Sequence, residues 1–557
     1  MDNSNKNKYS EIVFNLFQPA NLVAVVLVLL SISSTYHYFV RDLLISYGDT
    51  ESHLNIAKRV VDSLTPGLAQ LGGIWLPLPH LLLVPVVNID FLWRTGIAGS
   101  IVSGLLFVAG GVYLFRLTRL ITGSVLAGFT AVFIFATNPN ILYLQSTAMT
   151  EIPLIAFFII STYYYVDYIR DDRKLMSLIA AGFFGLAASL SRYDGWFLVI
   201  AEAALLILNY TAKAIRKHRL IYRGINPKKL IRSKFFTKME AVFLLFSTLS
   251  FVGIIGWFIW DYLILNDPLY FTNSPFSAKS QQTGWLARGE LPSYKNLWSA
   301  ISYYTFTSYV NIGKIVSIPA VVGLFLYLID HKKSGKFVVL VLLSVPHFFY
   351  VVTLFMGQSV IFIPELTPDT FEYQLFNVRY GVMMIPAAAF FAGYLFSWLN
   401  RRFKLDTVFT KYIVFAALVV LINVFVFQPV SFVSGSEKAI TIDDGVGGLS
   451  SAKKPDAQDW IKENYDGGLV LIDDYARTVS IIKSGIPMEN VIYVGNKPYW
   501  EESLEEPEKH ARWIITQTDD AVWDRLINNK QQEERLYKYF QKAYTSPEIL
   551  IFKKADI

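Results

Sequence analysis

The sequence predicts a mainly α-helical, polytopic membrane protein that ends in a small α/β domain. Of its 557 residues, 53% are hydrophobic and only 17% are charged, whereas a soluble protein usually carries about 25% charged residues. The apolar residues form runs of roughly 20 residues, the length that crosses the hydrocarbon core as a helix. After Phe432 these runs stop, and the composition becomes that of a soluble domain.

About eleven apolar runs are long enough to be read as transmembrane helices. The first is too long for a signal-peptide core and has no small-residue cleavage site after it, so we expect it to be retained. We place the spans near residues 19–40, 95–115, 123–139, 149–168, 175–191, 196–211, 240–264, 311–329, 336–357, 378–398 and 411–429.

Basic residues in alternate loops set the predicted orientation. The segments near Arg116, Arg170, 213–238, 332–336 and 401–404 are basic, as is the N-terminus, and positive charge marks the cytoplasmic side. We therefore expect a multi-pass plasma-membrane protein with a cytoplasmic N-terminus. Most of the net charge of +6 lies in these loops, so it indicates membrane lipid as a partner and not nucleic acid.

This orientation divides the chain into two predicted domains. Residues 1–432 form a transmembrane catalytic domain with long outer loops at 41–94, 265–310 and 358–377, and residues 433–557 form an extracytoplasmic α/β domain. No glycine-rich loop supports nucleotide binding there, and the lack of cysteine rules out disulfides and thiol chemistry. The predicted strands of this domain are Gly468–Ile472, Asn490–Val494, Arg512–Thr516 and Glu548–Phe552, and its predicted helices include Ala457–Tyr465 and Ala521–Asn528.

Two carboxylates, Asp49 and Glu51, lie where the first span leaves the membrane on its outer side. A carboxylate in a partly dry pocket can accept a proton from an attacking hydroxyl. The alternative is that Asp49 or Thr50 caps a following amphipathic helix. His53 and His80 of the same loop are candidate substrate ligands, although a lone histidine beside prolines is more often simply packed.

Glu151 opens the predicted fourth span. A carboxylate at membrane depth is costly and is therefore a functional candidate, and the alternative is a partner for the helix dipole at headgroup level. Glu151, Asp49 and a histidine offer oxygen and imidazole ligands, so we also consider a divalent metal ion held by Asp49 and Glu151.

Cationic residues on the outer side are candidates for binding an anionic group. Arg192 lies in a tight outer turn, where it can also pair with Asp194 in a purely structural role. Lys279 belongs to a long polar loop that could close over a substrate. Arg379, followed by Tyr380, enters a late span, where arginine can clamp a phosphate in bidentate fashion or extend to lipid headgroups.

The order and sidedness of these motifs resemble the GT-C superfamily of membrane glycosyltransferases, in particular family-39-like enzymes related to protein O-mannosyltransferases and aminoarabinose transferases. The resemblance rests on Asp49-Thr50-Glu51 after the first span, Thr150-Glu151, Arg379-Tyr380 and the soluble C-terminal domain, and it covers roughly residues 15–430. The threonine between Asp49 and Glu51 departs from the adjacent Asp-Glu of the mannosyltransferases, and no Trp-Trp-Asp motif of oligosaccharyltransferases is present.

The resemblance implies an inverting transfer of a monosaccharide, a hexose or a pentose, from a polyprenyl-phosphate donor to a hydroxyl of a glycan, lipid or protein acceptor. It implies that Asp49 is the general base and that Arg379, Lys279 and a metal stabilise the leaving phosphate. We expect Asp49, Glu151 and Arg379 to share one outward-open pocket. A flippase or transporter of a lipid-linked glycan is the main alternative, but transporters place charged groups near the midplane of the membrane. A non-catalytic scaffold gives no reason for these charges.

Overall fold

Long apolar helices dominate the protein because a backbone in lipid must satisfy its own hydrogen bonds. The computed structural model describes residues 18–222, 234–330, 335–403, 420, 439–447, 455–474 and 479–555. Six helices in these ranges are long and apolar enough to cross a bilayer. They are Pro19–Phe39, Ile97–Thr122, Glu151–Arg170, Asp194–Arg216, Lys336–Phe355 and Val378–Phe403.

Two further spans are possible only if each is a pair of helices that meets at a bend. Phe236–Ser250 and Val252–Leu265 meet at 41°, and Leu297–Ile312 and Lys314–Ile329 meet at 114°. The sharper bend lies at Gly313, whose φ of 85° is readily adopted only by glycine. Helix Leu297–Ile312 corrects the prediction that residues 265–310 form a loop, because its many hydroxyl-bearing side chains interrupt the apolar pattern that marks a span.

Length and composition thus support six to eight spans in the described residues, fewer than the eleven predicted. Two predicted spans, at 123–139 and 175–191, are the shorter helices Val125–Thr137 and Leu175–Ser189. The predicted span 411–429 and the predicted domain boundary at residue 432 lie outside the described residues, apart from residue 420.

The chain forms two compact units. The first, which we call the helical unit, comprises Met1–His37, Ser103–Gln145 and Thr150–Ile442. The second, which we call the mixed unit, comprises Tyr38–Val102, Ser146–Met149 and Asp443–Ile557. The mixed unit therefore contains both the predicted outer loop 41–94 and the C-terminal segment.

The C-terminal part of the mixed unit is a five-stranded mixed sheet with helices, as the α/β prediction requires. The strands are β1 Val470–Ile472, β2 Val491–Ile492, β3 Trp513–Gln517, β4 Phe540–Thr545 and β5 Ile549–Lys554. Their order is β2-β1-β3-β5-β4; β1 runs parallel to β2 and β3, and β5 runs antiparallel to β3 and β4. Strand β4 was not predicted, because half of its side chains are exposed at the sheet edge and the strand gives little apolar signal.

The remaining helices complete the two units. The helical unit adds Pro139–Leu144, Tyr270–Asn273, Ala278–Gln281 and Thr283–Ala287. The mixed unit adds Gly48–Val61, Leu68–Leu71, Leu78–Val87, Asp90–Thr95, Pro455–Asn464, Ile481–Ser484, Met488–Asn490, Tyr499–Glu505, Pro507–His510, Ala521–Leu526 and Lys530–Tyr539, and helix Ile440–Gly447 begins just before its C-terminal segment.

Candidate active site

Glu151 is the centre of a buried charged cluster in the helical unit. It is the first residue of helix Glu151–Arg170, and its side chain is completely buried. Its Oε1 atom accepts a hydrogen bond from Arg192 Nη1 at 2.9 Å and another from Arg379 Nε at 3.2 Å. Two guanidinium groups, from elements far apart in sequence, thus converge on one anionic oxygen.

Arg192 connects Glu151 to the neighbouring helices. It lies between helices Leu175–Ser189 and Asp194–Tyr222. Its Nη1 also donates to Thr150 Oγ1 at 2.9 Å, its Nη2 donates to Tyr350 Oη at 3.0 Å, and its Nε lies 3.4 Å from Asp194 Oδ1. The pairing with Asp194 that the sequence offered as an alternative is therefore present, but it is one contact among several.

The charge of Arg192 is secured by its surroundings. Burial by itself would lower the pKa of this guanidinium, but the neighbouring Tyr350, Glu151 and Asp194 outweigh burial and raise the pKa well above its ordinary value. Arg192 therefore stays positive, and the cluster contains two cations, Arg192 and Arg379, and two acidic groups, Glu151 and Asp194.

Three tyrosines form a stack beside the arginines. The ring of Tyr350 stacks on Tyr380 at 5.0 Å and on Tyr304 at 4.8 Å between centroids. The guanidinium carbons of Arg192 and Arg379 lie 5.3 Å and 5.2 Å from the centroid of Tyr380. Aromatic faces attract cations at such distances, so the stack supports both guanidinium groups from one side.

Arg379 is positioned by a short 3₁₀ segment, Val378–Met384. Asn311 fixes this segment, because its Nδ2 donates to Val378 O at 2.8 Å and to Thr307 O at 2.9 Å. Gly381 allows the close approach, since a Cβ atom there would lie only 2.5 Å from the Thr307 carbonyl oxygen. The Arg379 residue is only 8% exposed, so its guanidinium is held inside the protein and not extended to bulk water.

A small apolar cleft of about 20 Å³ lies next to the charged cluster. Its walls include Leu154, Ile155 and Phe158, which follow Glu151 on the same helix, and its polar member is Asp194 of the cluster. Buried anion-binding groups and an apolar cleft are thus adjacent within the helical unit.

Asp49 and Glu51 lie in the first turn of helix Gly48–Val61 in the mixed unit. Tyr47, without a side-chain cap, is the residue that precedes the helix, so the alternative that Asp49 or Thr50 caps it is wrong. Asp49 is half-buried. Glu51 is only 4% exposed, and its Oε1 accepts a hydrogen bond from Ser480 Oγ at 2.8 Å.

His53 and His80 meet within the mixed unit. His53 Nδ1 and His80 Nε2 are 2.9 Å apart, and both rings are buried. The His53 ring also lies against Trp75 at 4.7 Å. Burial lowers the pKa of His80 well below its ordinary value, and the neighbouring His53 lowers it further, so His80 stays neutral near pH 7.

The remaining site predictions concern Lys279 and a metal ion. Lys279 is exposed on the short helix Ala278–Gln281, and in the described residues its ammonium group makes no ion pair. Across the described ranges, no group of three or more histidine or acidic residues is arranged to hold a metal ion. The metal ion held by Asp49 and Glu151 therefore stays a prediction.

The structure brings Glu151, Arg192, Arg379 and Tyr380 together, while Asp49, Glu51, His53 and His80 belong to the mixed unit. It stays a prediction that Asp49, Glu151 and Arg379 share one pocket. Sequence reasoning missed Tyr350 and Tyr304, because one tyrosine in an apolar run carries no signal of its own. Asp194 was noticed only as a partner for Arg192.

One segment of the chain is similar to a family of glycosyltransferases. Residues 93–225 match the sequence profile of the family described as dolichyl-phosphate-mannose-protein mannosyltransferase. This segment contains Glu151, Arg192 and Asp194, but neither Asp49 nor Arg379. No curated protein matches the chain significantly.

Three solved structures, each 12% identical to this chain, align with most of its length. ArnT from Cupriavidus metallidurans bound to undecaprenyl phosphate is 12% identical, with 94% of this chain and 97% of that chain covered and a TM-score of 0.49. The Archaeoglobus fulgidus oligosaccharyltransferase in its apo form is 12% identical, with 96% and 74% covered and a TM-score of 0.46. AglB from Archaeoglobus fulgidus, in complex with an inhibitory peptide and a dolichol-phosphate, is 12% identical, with 97% and 74% covered and a TM-score of 0.44. No residue role is carried over at such identities and scores.

The candidate spans and the small C-terminal sheet of the described residues agree with the predicted polytopic membrane protein that ends in an α/β domain. The family match confirms the predicted resemblance to the protein O-mannosyltransferases over residues 93–225.

Proposed function

We propose that this protein is an inverting glycosyltransferase that moves a monosaccharide, a hexose or a pentose, from a polyprenyl-phosphate donor to an acceptor hydroxyl at the outer face of the membrane. The observation that carries the proposal is the convergence of Arg192 and Arg379 on a single carboxylate oxygen of Glu151 beside an apolar cleft. A polyprenyl phosphate has the matching chemistry, namely an anionic head joined to an apolar tail.

The arginines suit the charge that develops during transfer. When the bond between the anomeric carbon and the phosphate oxygen breaks, negative charge grows on the leaving phosphate, and fixed cations in a dry site stabilise this charge most strongly. Arginine can hold a phosphate through two parallel N–H bonds. In this proposal the phosphate competes with Glu151 for Arg379 and Arg192, and Glu151 keeps the two cations in place when no donor is bound.

Asp49 is the proposed general base. It would take the proton of the acceptor hydroxyl while that oxygen bonds to the anomeric carbon from the face opposite the phosphate, so that the configuration inverts. Its half-buried position at the start of a helix suits a base that must meet an acceptor from water. A transporter of lipid-linked glycan is the second candidate, and it would move the donor without consuming it.

The decisive experiment uses purified protein in detergent with a panel of polyprenyl-phosphate monosaccharides. We expect one donor to be consumed in the presence of an acceptor, and we expect the product to have the inverted anomeric configuration by NMR. Retention of configuration would exclude the single-displacement mechanism. Translocation of a lipid-linked glycan in liposomes, with no donor consumed, would favour the transporter.

Replacing the base tests the role of Asp49. Asp49→Asn should lower kcat at least about a hundredfold, since general bases typically contribute 10²–10⁴, while the variant purifies normally. Asp62→Asn is the matched control, because Asp62 follows the same helix and only pairs with Lys58 at 3.0 Å. Near-normal transfer by Asp49→Asn would remove Asp49 as the base.

Removing the late arginine tests the phosphate site. Arg379→Ala should raise the apparent KM for the donor about tenfold or more, because a hydrogen bond to a charged group is typically worth 1.5–3 kcal/mol. The control is Arg402→Ala, which removes an exposed arginine near the far end of the helix that follows. Equal donor KM values for the two variants would contradict a phosphate role for Arg379.

A further inference from the structure

The sheet of the mixed unit has an edge at which α/β proteins often bind ligands. Strand β1 is flanked by β2 on one side and by β3 on the other, and all three run parallel. The chain therefore leaves β1 first toward one side and later toward the other. Such a reversal opens a crevice at the carboxyl ends of the strands, where ligands commonly bind.

Beside that crevice, the carboxyl ends of β1 and β2 hold the chain's own Arg59, from helix Gly48–Val61. Arg59 makes an ion pair with Asp474, which follows β1, and its guanidinium carbon lies 3.7 Å from the ring centroid of Tyr493, which follows β2. The Arg59 side chain is 5% exposed. A buried cation held by a carboxylate and an aromatic face is a specific contact and not an incidental one.

The loop that follows the helix is held at the same edge. Asn496, just after β2, donates from its Nδ2 to Ser63 Oγ at 3.1 Å and to Thr65 Oγ1 at 2.8 Å. The Tyr493 hydroxyl bonds to Gln70, and Gln70 Nε2 in turn donates to the Thr65 carbonyl at 2.7 Å. Polar side chains beyond β2 thus fix the segment after the helix.

A third contact grips the beginning of the helix. Glu51 Oε1 accepts a hydrogen bond from Ser480 Oγ at 2.8 Å and one from the Ile482 backbone N–H at 3.4 Å. Glu51 is two residues from Asp49, and its carboxylate is buried. This carboxylate therefore anchors the turn of helix that carries the proposed base.

We propose that the C-terminal domain is a socket for the helix Gly48–Val61, and that Ser480 and Asp474 are positioning residues that hold Asp49 for proton transfer. On this view the carboxyl ends of β1 and β2 bind the chain's own helix, and the domain acts by fixing that helix. The inference rests on the proposed function for its kinetic consequence, but the contact itself can be tested without transfer activity.

The kinetic experiment compares two buried serines: Ser480, whose hydroxyl also caps the short helix Ile481–Ser484 by accepting from the Lys483 N–H, and Ser484 at the end of that helix. Ser480→Ala should lower kcat about tenfold with the donor KM changed less than twofold, because Asp49 loses its fixed orientation while the proposed phosphate ligands are untouched. Ser484→Ala is the matched control and should behave like the wild type, since in the described residues the Ser484 hydroxyl bonds only locally. It donates to the Ile481 carbonyl at 3.0 Å and accepts from the Ile486 N–H at 3.4 Å. Ser480→Thr keeps a hydroxyl donor and should restore most of the rate.

The labelling arm uses the absence of cysteine from the chain. Asp49→Cys provides a single thiol, and its alkylation rate by a maleimide reports the freedom of that turn. We expect Ser480→Ala to raise this rate at least threefold and Ser484→Ala to leave it unchanged. If Ser480→Ala does not fold, the same two measurements are made on Asn496→Ala. This variant removes the hydrogen bonds to Ser63 and Thr65, beyond the other end of the helix.

The outcomes separate the two proposals. Equal alkylation rates in the Ser480→Ala and Ser484→Ala backgrounds would overturn the socket, whatever the activity. If the purified wild type consumed no donor but Ser480→Ala still accelerated alkylation, the proposed function would be contradicted and the socket would be supported. If both serine variants lowered kcat to the same degree, the cause would be a general loss of stability, and the positioning role would also be overturned.

Discussion

At the scale of single residues, Glu151 has two opposing effects. Its carboxylate pairs with two buried guanidinium groups, at 2.9 Å and 3.2 Å, and without it Arg192 and Arg379 would lose the anion that they share. The same carboxylate occupies the position that suits an anionic ligand. A site of this kind is stable when empty and must exchange one anion for another when the ligand enters.

This exchange makes a prediction for Glu151→Gln. Removing one member of a buried ion pair typically costs about 3–5 kcal/mol, because the remaining charges are uncompensated, so the melting temperature in detergent should fall. Added polyprenyl phosphate should then raise the melting temperature of the variant more than that of the wild type, since the ligand supplies the missing negative charge.

Glu202→Gln is the matched control for this prediction. Glu202 is also buried in the helical unit, but its carboxylate is bonded by Ser161 Oγ, at 2.9 Å to Oε1, and by no arginine among the described residues. The same stabilisation of both variants by polyprenyl phosphate would show a general lipid effect. No gain for Glu151→Gln would argue against anion binding by the arginines.

At the scale of elements, the sequence predicts those parts that depend on local pattern. Apolar runs located most helices, and alternating short strands located β1, β2, β3 and β5 within a few residues. Helix Leu297–Ile312 and strand β4 were not predicted. Packing specifies the helix and edge pairing specifies the strand, and both segments have a mixed composition. The meeting of Glu151, Arg192 and Arg379 could be suspected from their order, but their hydrogen bonds depend on tertiary contacts such as those of Asn311.

The bend between Leu297–Ile312 and Lys314–Ile329 gives a prediction at this scale. Gly313 has a φ of 85°, which an L side chain adopts at a cost of about 1–2 kcal/mol. Gly313→Ala should therefore lower the melting temperature in detergent by several degrees. Gly256→Ala is the control, because Gly256 lies inside helix Val252–Leu265 with open space around its Cβ position, and alanine there should stabilise the helix by about 0.5–1 kcal/mol. Equal shifts for both variants would contradict the role of Gly313 in the bend.

At the scale of the whole molecule, the proposed chemistry depends on sidedness. The basic loops near Arg173 are predicted to be cytoplasmic, whereas the loop containing Asn273 and the C-terminal domain containing Lys530 are predicted to lie outside. All three residues are exposed, and the natural chain has no cysteine. Single cysteines at these positions are therefore the only thiols that a reagent can find.

We expect a membrane-impermeant maleimide to label Asn273→Cys and Lys530→Cys in sealed right-side-out vesicles, and to label Arg173→Cys only after the vesicles are permeabilised. The physical reason is the positive-inside rule, which assigns short loops rich in arginine and lysine to the cytoplasm. The cysteine-free chain controls for background labelling. If Lys530→Cys reacted only after permeabilisation, the C-terminal domain and the helix it holds would face the cytoplasm, and transfer from a donor presented at the outer face would be impossible.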